Sequence, residues 1–370
     1  MNEKNYENII YDYELKTFNQ NISNDSFSSY VLGIDVGGTN ATLGIAGIQE
    51  KTPILLCSLQ FASTSMDSLI PAILQSLEYA KKEYGCDIFH SCIGAAGVIS
   101  EKKDFAELTN LNWNISTNEI LKHTPLQSAV LVNDFQAIGY GIRFLDHENK
   151  NHILQIRSKT NKPLCPPQNK AIIGAGTGLG KCLLYYDSHL QHYVPLASEG
   201  GHSDLPIYSD SEKRLVRFIQ KEKNDTSPLC YEDVLSGRGI NFIYDFLYHD
   251  KQYNESSYMT EIESSTDKTS LISRYRNKDE LCKETFRYFS KFYGRCAKNF
   301  VLDTMAIDGL YIAGGIAMKN YEIFQSNDFL SEFEHSKQRK NILSNTPLYV
   351  IMNYDVSLYG TCFIALQNIL

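Results

Sequence analysis

The sequence predicts an α/β protein built from two related halves, and three observations carry that prediction. Apolar runs of strand length alternate with helical patterns, the order expected of α/β proteins. A glycine turn between two apolar runs, "VLGIDVGGTNATLGIAG" (31–47), returns about 140 residues later as "KAIIGAGTGLGKCLLYY" (170–186). A third glycine turn, "LYIAGGIAMKNYEIF" (310–324), joins a strand to a helix. Two related hairpins at this distance indicate a duplicated, two-domain arrangement. A chain of 370 residues is long enough for two domains with a sizeable core.

Taken in order, residues 1–29 contain no apolar signal-peptide core and no Arg-rich face. Asn2, Asn5, Asn8, Asn19, Asn21 and Asn24 lie among scattered acids, and the stretch reads as a mobile arm. Val31–Val36 and Thr42–Ala46 read as strands joined by the glycine turn, and "CSLQFA" adds a third. "MDSLIPAILQSLEYAKKEYG" reads as a helix: Leu69, Ile70, Ile73, Leu74, Leu77 and Ala80 recur at helical spacing. Pro71 lies in its early turns and Gly85 ends it. "DIFHSCIGAAG" and "AVLVNDFQA" are further buried strands. Residues 250–282 are polar and Ser-rich, a surface loop or partly disordered insertion. The next stretch sets Phe286, Phe289, Tyr293, Cys296, Ala297 and Phe300 on one helical face, as core or as a subunit interface.

Composition narrows the function classes. Hydrophobic content of 43% and charged content of 21% are those of a soluble globular protein. A net charge of −8 disfavours a nucleic-acid partner, which usually leaves a basic stripe. No run approaches the roughly 18 apolar residues of a membrane span, so no membrane partner is expected. The nine cysteines are odd in number and form no C-x-x-C pair. Neither a disulfide framework nor a zinc site is indicated; reduced, mostly buried thiols of a cytosolic protein are.

"GAGTGLGK" is neither a dinucleotide nor a P-loop signature. The first needs glycine at position 179, which is Leu179. The second needs glycine at 175 and Ser or Thr at 182, which are Ala175 and Cys182. What remains is a turn of Gly174, Gly176, Gly178 and Gly180 around Thr177. Without Cβ atoms, successive N–H groups can converge on an anion. Thr39 and Thr177 each add a hydroxyl. Each turn alone reads more readily as a tight hairpin needing positive φ; together, with Asp35 in place, they read as a polyphosphate clamp. A carboxylate beside phosphate calls for an intervening cation, and Mg²⁺ takes one or two carboxylates with phosphates and water. Ala175 stands at the comparable place in the second turn, so only the first turn would face the metal.

Asp134 ends an apolar strand at "LVNDFQA". It fits a base that takes a sugar hydroxyl's proton during attack on phosphorus. It fits equally a helix N-cap before "FQAIGYGI". Asn133 beside it both donates and accepts. "LASEGGHSDLP" places Glu199 and His202 across two glycines, a pair suited to vicinal hydroxyls. A metal site or a structural histidine are the other readings of that turn. "YEDVLSGRGI" adds Glu232 and a further glycine turn.

As a set, "GIDVGGTNA", "TNLNW", "VNDF", "GAGTGLG", "SEGGH", "YEDVLSGRG" and "IAGGI" resemble, in order and spacing, the bacterial-type glucokinases of the hexokinase–actin ATPase superfamily, from about Tyr30 to Leu370. The resemblance implies a two-domain actin-like (ribonuclease H-like) fold with the active site in the interdomain cleft. The small domain would span 30–144 with about 350–370, and the large one 145–349. The implied activity is ATP-dependent phosphorylation of glucose at its 6-hydroxyl, with Asp134 as base. Asn133, Asp134, Glu199, His202 and Glu232 match the sugar ligands. Asp35, Gly37, Gly38, Thr39 and Asn40 match the first phosphate loop, with Asp35 toward Mg²⁺, indirectly through the water that Mg²⁺ keeps. Gly174, Gly176, Thr177 and Gly178 match the second, and Gly314 and Gly315 the adenosine loop. The family is cytoplasmic, glycolytic and usually homodimeric. Thr42 stands where many relatives have Arg, and Ala96 where proline is common. Other hexoses or amino sugars are the alternative substrates. A non-catalytic sugar sensor is disfavoured by the intact Asp35 and Asp134, and by an arm too short and acidic to be a DNA-binding module.

Overall fold

In a computed structural model that describes residues 6, 8–18, 26–109, 111–158, 166–250, 253, 256–367 and 369, the first glycine hairpin lies at the centre of a sheet. The chain divides into two units, residues 1–145 with 355–370, and residues 146–354.

In the first unit, β1 (Tyr13–Thr17), β2 (Ser29–Val36), β3 (Asn40–Gln49), β4 (Thr52–Ala62), β5 (His90–Ala95) and β9 (Ser128–Asn133) pair in the order β1-β4-β3-β2-β5-β9. The hairpin β2–β3 and strand β4 are antiparallel, while β2, β5 and β9 run parallel. Short strands β6 (Gly97–Ile99), β7 (Phe105–Leu108) and β8 (Ile115–Ser116) form a second sheet. Side chains alternate across a strand. Leu32, Ile34 and Val36 therefore enter one core while Val31 enters the core on the opposite face. The first core is covered by α1 (Ile70–Tyr84), which carries Pro71 in its first turn and ends at Gly85 with φ 65°, as its spacing predicts. Helix α2 (Thr117–His123) leads into β9. The second core packs under α3 (Asp134–Gly141) and the chain's last helix, Val356–Gln367. These two helices touch through glycines. A Cβ at Gly360 would stand 1.8 Å from the Ala137 carbonyl, and one at Gly141 the same distance from that of Val356.

The second unit has a sheet of β10 (Ile153–Arg157), β11 (Lys170–Ala175), β12 (Leu179–Asp187), β13 (His192–Ser198), β14 (Leu310–Ala313) and β15 (Leu348–Ile351), in the order β10-β15-β14-β11-β12-β13. Its helices are α4 (Asp210–Lys223), α5 (Gly237–His249), α6 (Ser257–Glu263), α7 (Lys268–Tyr275), α8 (Glu280–Thr304), α9 (Gly315–Lys319), α10 (Asn327–Glu334) and α11 (Lys340–Asn345); the last helix of the first unit is α12. The aromatic stripe of α8 is core: Phe289, Tyr293, Cys296 and Ala297 are fully buried, with Phe286 and Phe300 beside them.

Two expectations change. The arm at 1–29 includes an ordered element: β1 pairs residue for residue with β4, from Tyr13 opposite Phe61 to Thr17 opposite Cys57. All five of its residues are exposed, so its order comes from edge pairing rather than from an apolar pattern. Residues 1–5, 7 and 19–25 of that arm lie outside the described residues, as do Asn110 and Cys165. The polar stretch 250–282 holds α6 and α7, with 251, 252, 254 and 255 outside the described residues. Ser256 and Asp267 cap these helices, and Met259, Ile262, Ile272 and Tyr275 bury their inner faces. Caps and two anchors apiece suffice where a neighbouring core receives them.

Candidate active site

The parallel register of the first unit sets Asp35 opposite Gly94 and Ala95 opposite Asn133. Asp35 and Asp134 therefore lie at the carboxyl ends of β2 and β9. Two strand spacings, roughly 10 Å, separate those strands. Ligands of open α/β sheets bind outside such ends.

Ser357 of α12 donates its hydroxyl to Asp35 Oδ2 at 2.5 Å. Burial pushes the Asp35 carboxyl up from its ordinary range, and the Ser357 hydrogen bond offsets only part of that. A carboxylate held in this setting beside a glycine turn fits a magnesium ion. No cluster of three or more His, Cys, Asp or Glu placed to hold a metal occurs among the described residues. An ion here would take its remaining ligands from water and phosphate, which suits Mg²⁺.

The cap reading of Asp134 gives way to its neighbour. Asn133 is the N-cap of α3, its Oδ1 accepting from the N–H groups of Phe135 and Gln136 at 3.0 and 3.3 Å. Asp134 is the first helical residue, half-buried, and its Oδ1 accepts from Phe135 N–H at 2.9 Å. Asn133 therefore spends its carbonyl oxygen on the helix, and only its amide N–H groups suit a hydroxyl ligand.

The glycines of both turns are not explained by left-handed backbone, because Gly37, Gly176 and Gly178 all lie outside positive φ. Their reasons differ. A Cβ at Gly178 would meet Glu232 Oε2 at 2.5 Å, whereas one at Gly176 would meet nothing within 4 Å. Open space at a glycine that needs no unusual φ is what an approaching ligand requires. Thr39, Asn40 and Thr177 are exposed on their turns, but Gly174 is buried within the sheet, opposite Gly180 and Ala313. Gly314 does have positive φ, 92°, and its missing Cβ accommodates the Ala175 carbonyl 2.7 Å away. The third glycine turn, Gly314–Gly315, thus abuts the second.

The sugar-ligand candidates of the second unit share one backbone network with that second turn. Glu199 and His202 flank a single 3₁₀ turn, with Nε2 and Oε2 3.9 Å apart and both side chains well exposed. Gly201 is demanded by approach: a Cβ there would stand 2.1 Å from the Leu179 carbonyl. Glu232 also has partners within the protein. Its Oε2 accepts from Leu179 N–H at 2.9 Å, so it braces the second turn, while Oε1 faces Arg238 at 4.0 Å. Gly237 N–H donates to the Gly176 carbonyl at 2.9 Å, and Tyr231 N–H to that of Ser203 at 3.0 Å.

Three contributors escaped the sequence. Ser357 lies 322 positions from Asp35. Lys181, read only as a failed P-loop lysine, is buried. Its Nζ donates to the Gly200 carbonyl at 2.7 Å and lies over the Tyr231 and Phe300 rings at 5.1 and 5.2 Å. Ser63 braces the first turn, and no local pattern marks it.

The glucokinase family profile matches residues 32–368. Over 349 residues the chain is 32% identical to the glucokinase of Nostoc punctiforme, covering 90% of this chain and 98% of that relative. Among solved structures it is similar to glucokinase from Balamuthia mandrillaris in complex with glucose, with a TM-score of 0.76 and 20% identity over 91% of this chain and 93% of that one. It is also similar to a ROK family glucokinase from Streptomyces griseus in complex with glucose and AMPPNP, with a TM-score of 0.64 and 17% identity over 92% of this chain and the whole of that one. These likenesses show the fold, the two-domain actin-like ATPase architecture.

Proposed function

The chain belongs to the glucokinase family, and from that premise we propose that Asp134 is the general base of an ATP-dependent transfer to the 6-hydroxyl of glucose. The activity itself, phosphorylation of glucose by ATP, is that of the family. The observation that carries the residue assignment is the placement of Asp35 and Asp134 at the carboxyl ends of parallel strands in one sheet, with Asn133 taking the cap.

In this mechanism Asp134 orients the 6-hydroxyl and takes its proton as the oxygen attacks phosphorus. The amide of Asn133 donates to a neighbouring hydroxyl. Glu199 and His202, on one turn, bind vicinal hydroxyls, and Glu232, whose Oε2 braces the second turn, is a further sugar ligand. The turns at 37–40 and 174–178 orient backbone N–H groups on the phosphates, and Gly314–Gly315 admits the adenosine. Preorganised donors of this kind stabilise charge that develops in transfer. Asp35 would hold, through water, a magnesium ion that neutralises phosphate charge when bound. No described helix is long and apolar enough to cross a membrane. A cytoplasmic, homodimeric enzyme of glycolysis completes the proposal, on the strength of the family resemblance.

An ADP-release assay with ATP against glucose, mannose, glucosamine and N-acetylglucosamine tests the substrate. Glucose should give the highest kcat/KM; glucose at background beside another active hexose would overturn the substrate named here.

Asp35 yields a prediction of opposite signs. Its carboxyl is raised by burial, so its charged form costs stability wherever the unfolded carboxyl is ionised. Its contribution is most favourable below the unfolded pKa and is lost as pH rises through the folded one. Asp35→Asn should therefore raise the thermal midpoint at pH 7, and that gain should shrink as pH falls through the carboxylate range. Activity should fall in the same variant. Midpoints at pH 7 and pH 4 check this, and an unstable, fully active variant would contradict it.

A further inference from the structure

The motif "TNLNW" has no part in the mechanism above, yet its Trp113 reaches the first glycine turn through one intermediary. Strands β3 and β4 pair to their ends, Asn40 opposite Ala62, so the next residue, Ser63, is delivered beside the turn. Ser63 is fully buried. Its hydroxyl donates to the Gly37 carbonyl at 2.9 Å, and its N–H donates to the Thr39 carbonyl at 2.9 Å. The Ser63 carbonyl accepts from Trp113 Nε1–H at 3.0 Å, and also from Met66 N–H at 3.3 Å. Trp113 itself is buried in the first core.

Planarity converts these bonds into a statement about the ligand face. In a trans peptide the N–H points opposite to the carbonyl of the preceding residue. Tying the Gly37 and Thr39 carbonyls to Ser63 therefore turns the N–H groups of Gly38 and Asn40 away from it. Both donors are fixed on the far face of the turn. Gly37 N–H is already committed to the Asn40 carbonyl at 2.9 Å, so the Gly38 and Asn40 donors are the ones left to the orientation that Ser63 sets.

We infer that Ser63, held by the Trp113 indole, is a positioning residue of the phosphate turn, and that its hydroxyl sets nucleotide affinity without touching the nucleotide. This rests on the reading of residues 37–40 as a phosphate loop. It also makes Trp113, the chain's single tryptophan, an internal reporter of that loop.

The test measures binding of a non-hydrolysable ATP analogue by equilibrium dialysis and by Trp113 emission, beside steady-state kinetics with ATP and glucose. In the intact chain the analogue should change the emission. Ser63→Ala removes one hydrogen bond to the turn, so Kd for the analogue and KM for ATP should rise about three- to tenfold. KM for glucose should stay where it is. A merely structural loss would move both substrates and the thermal midpoint together. Trp113→Phe keeps the ring and deletes the N–H, and should weaken the analogue in the same direction. Unchanged analogue binding in both variants would overturn the inference while leaving the kinase reading intact. An intact chain that binds the analogue but phosphorylates no hexose would overturn the kinase reading alone. One that binds no nucleotide would overturn both.

Discussion

Asp134→Asn is expected to lower kcat by about 10²- to 10⁴-fold, the usual worth of a positioned general base, while glucose still binds. Asn is nearly isosteric, and its side-chain oxygen can keep accepting from Phe135 N–H, the bond that Asp134 makes at 2.9 Å. Asn133 continues to cap α3 whatever stands at 134, so the helix start should survive. The substitution thus removes basicity with little else. An effect on kcat with substrate affinity retained is the signature of an interaction made in the transition state only. Single-turnover kinetics with ATP, together with a calorimetric Kd for glucose, separate the two terms. A kcat within a factor of ten of the unsubstituted chain would remove Asp134 from the role of base. A lost glucose Kd at full thermal stability would make it chiefly a sugar ligand.

The fold was legible wherever periodicity spans enough residues to be counted. The hairpin at 31–47 and the helix at 70–84 are long, and their glycines and Pro71 mark their ends. The β1 strand was not legible, because five exposed residues carry no alternation and only β4 explains their order. Helices α6 and α7, of seven and eight residues, lie below the length at which a stripe shows. The site divides the same way. Motif spacing could nominate Asp134 but not decide between cap and base, since both readings put an Asp at a strand end. The hydrogen bonds of Asn133 give it the cap, and the role of Asp134 as base remains the reading proposed above. Of the two readings the sequence offered for the glycine turns, the tight hairpin needing positive φ fails at Gly37, Gly176 and Gly178, and what the structure shows instead is open space at Gly176 and close approach at Gly178 and Gly201. Ser357, Ser63 and Lys181 act across sheet registers and helix packing, which adjacency in sequence does not encode.

Arg295→Ala should cause the largest loss of stability of any single change considered. The Arg295 side chain is fully buried in α8. Its guanidinium donates to both carboxylate oxygens of Glu212 at 3.1 Å, to Glu332 Oε1 at 3.1 Å and to the Pro206 carbonyl at 2.6 Å, and it stacks 3.8 Å over the Tyr208 ring. Burial alone would lower the guanidinium's pKa, but the paired carboxylates more than offset it and hold it above the ordinary value. Removing one partner leaves the others charged in a desolvated site, which costs about 3–5 kcal/mol. For a chain of 370 residues, that is a fall of roughly 4–6 °C in Tm. The surface pair Lys81–Asp87, whose side chains are 60% and 58% exposed, should cost at most about 1 kcal/mol by comparison. The arrangement depends on close approach of α8 and α10 at Gly294, where a Cβ would stand 2.4 Å from the Phe329 carbonyl. It also fixes Pro206, four residues beyond His202 of the Glu199–His202 turn, so sugar affinity should weaken along with stability. Lysine, with one ammonium in place of a fork, should recover only part of the loss. Adding Glu212→Gln and Glu332→Gln to Arg295→Met should recover more, since neutral partners no longer demand a counter-charge. Thermal melts of the four proteins decide the matter: an Arg295→Ala midpoint within about 2 °C of the unsubstituted chain would mean the carboxylates find water, and that the site is less desolvated than its geometry implies.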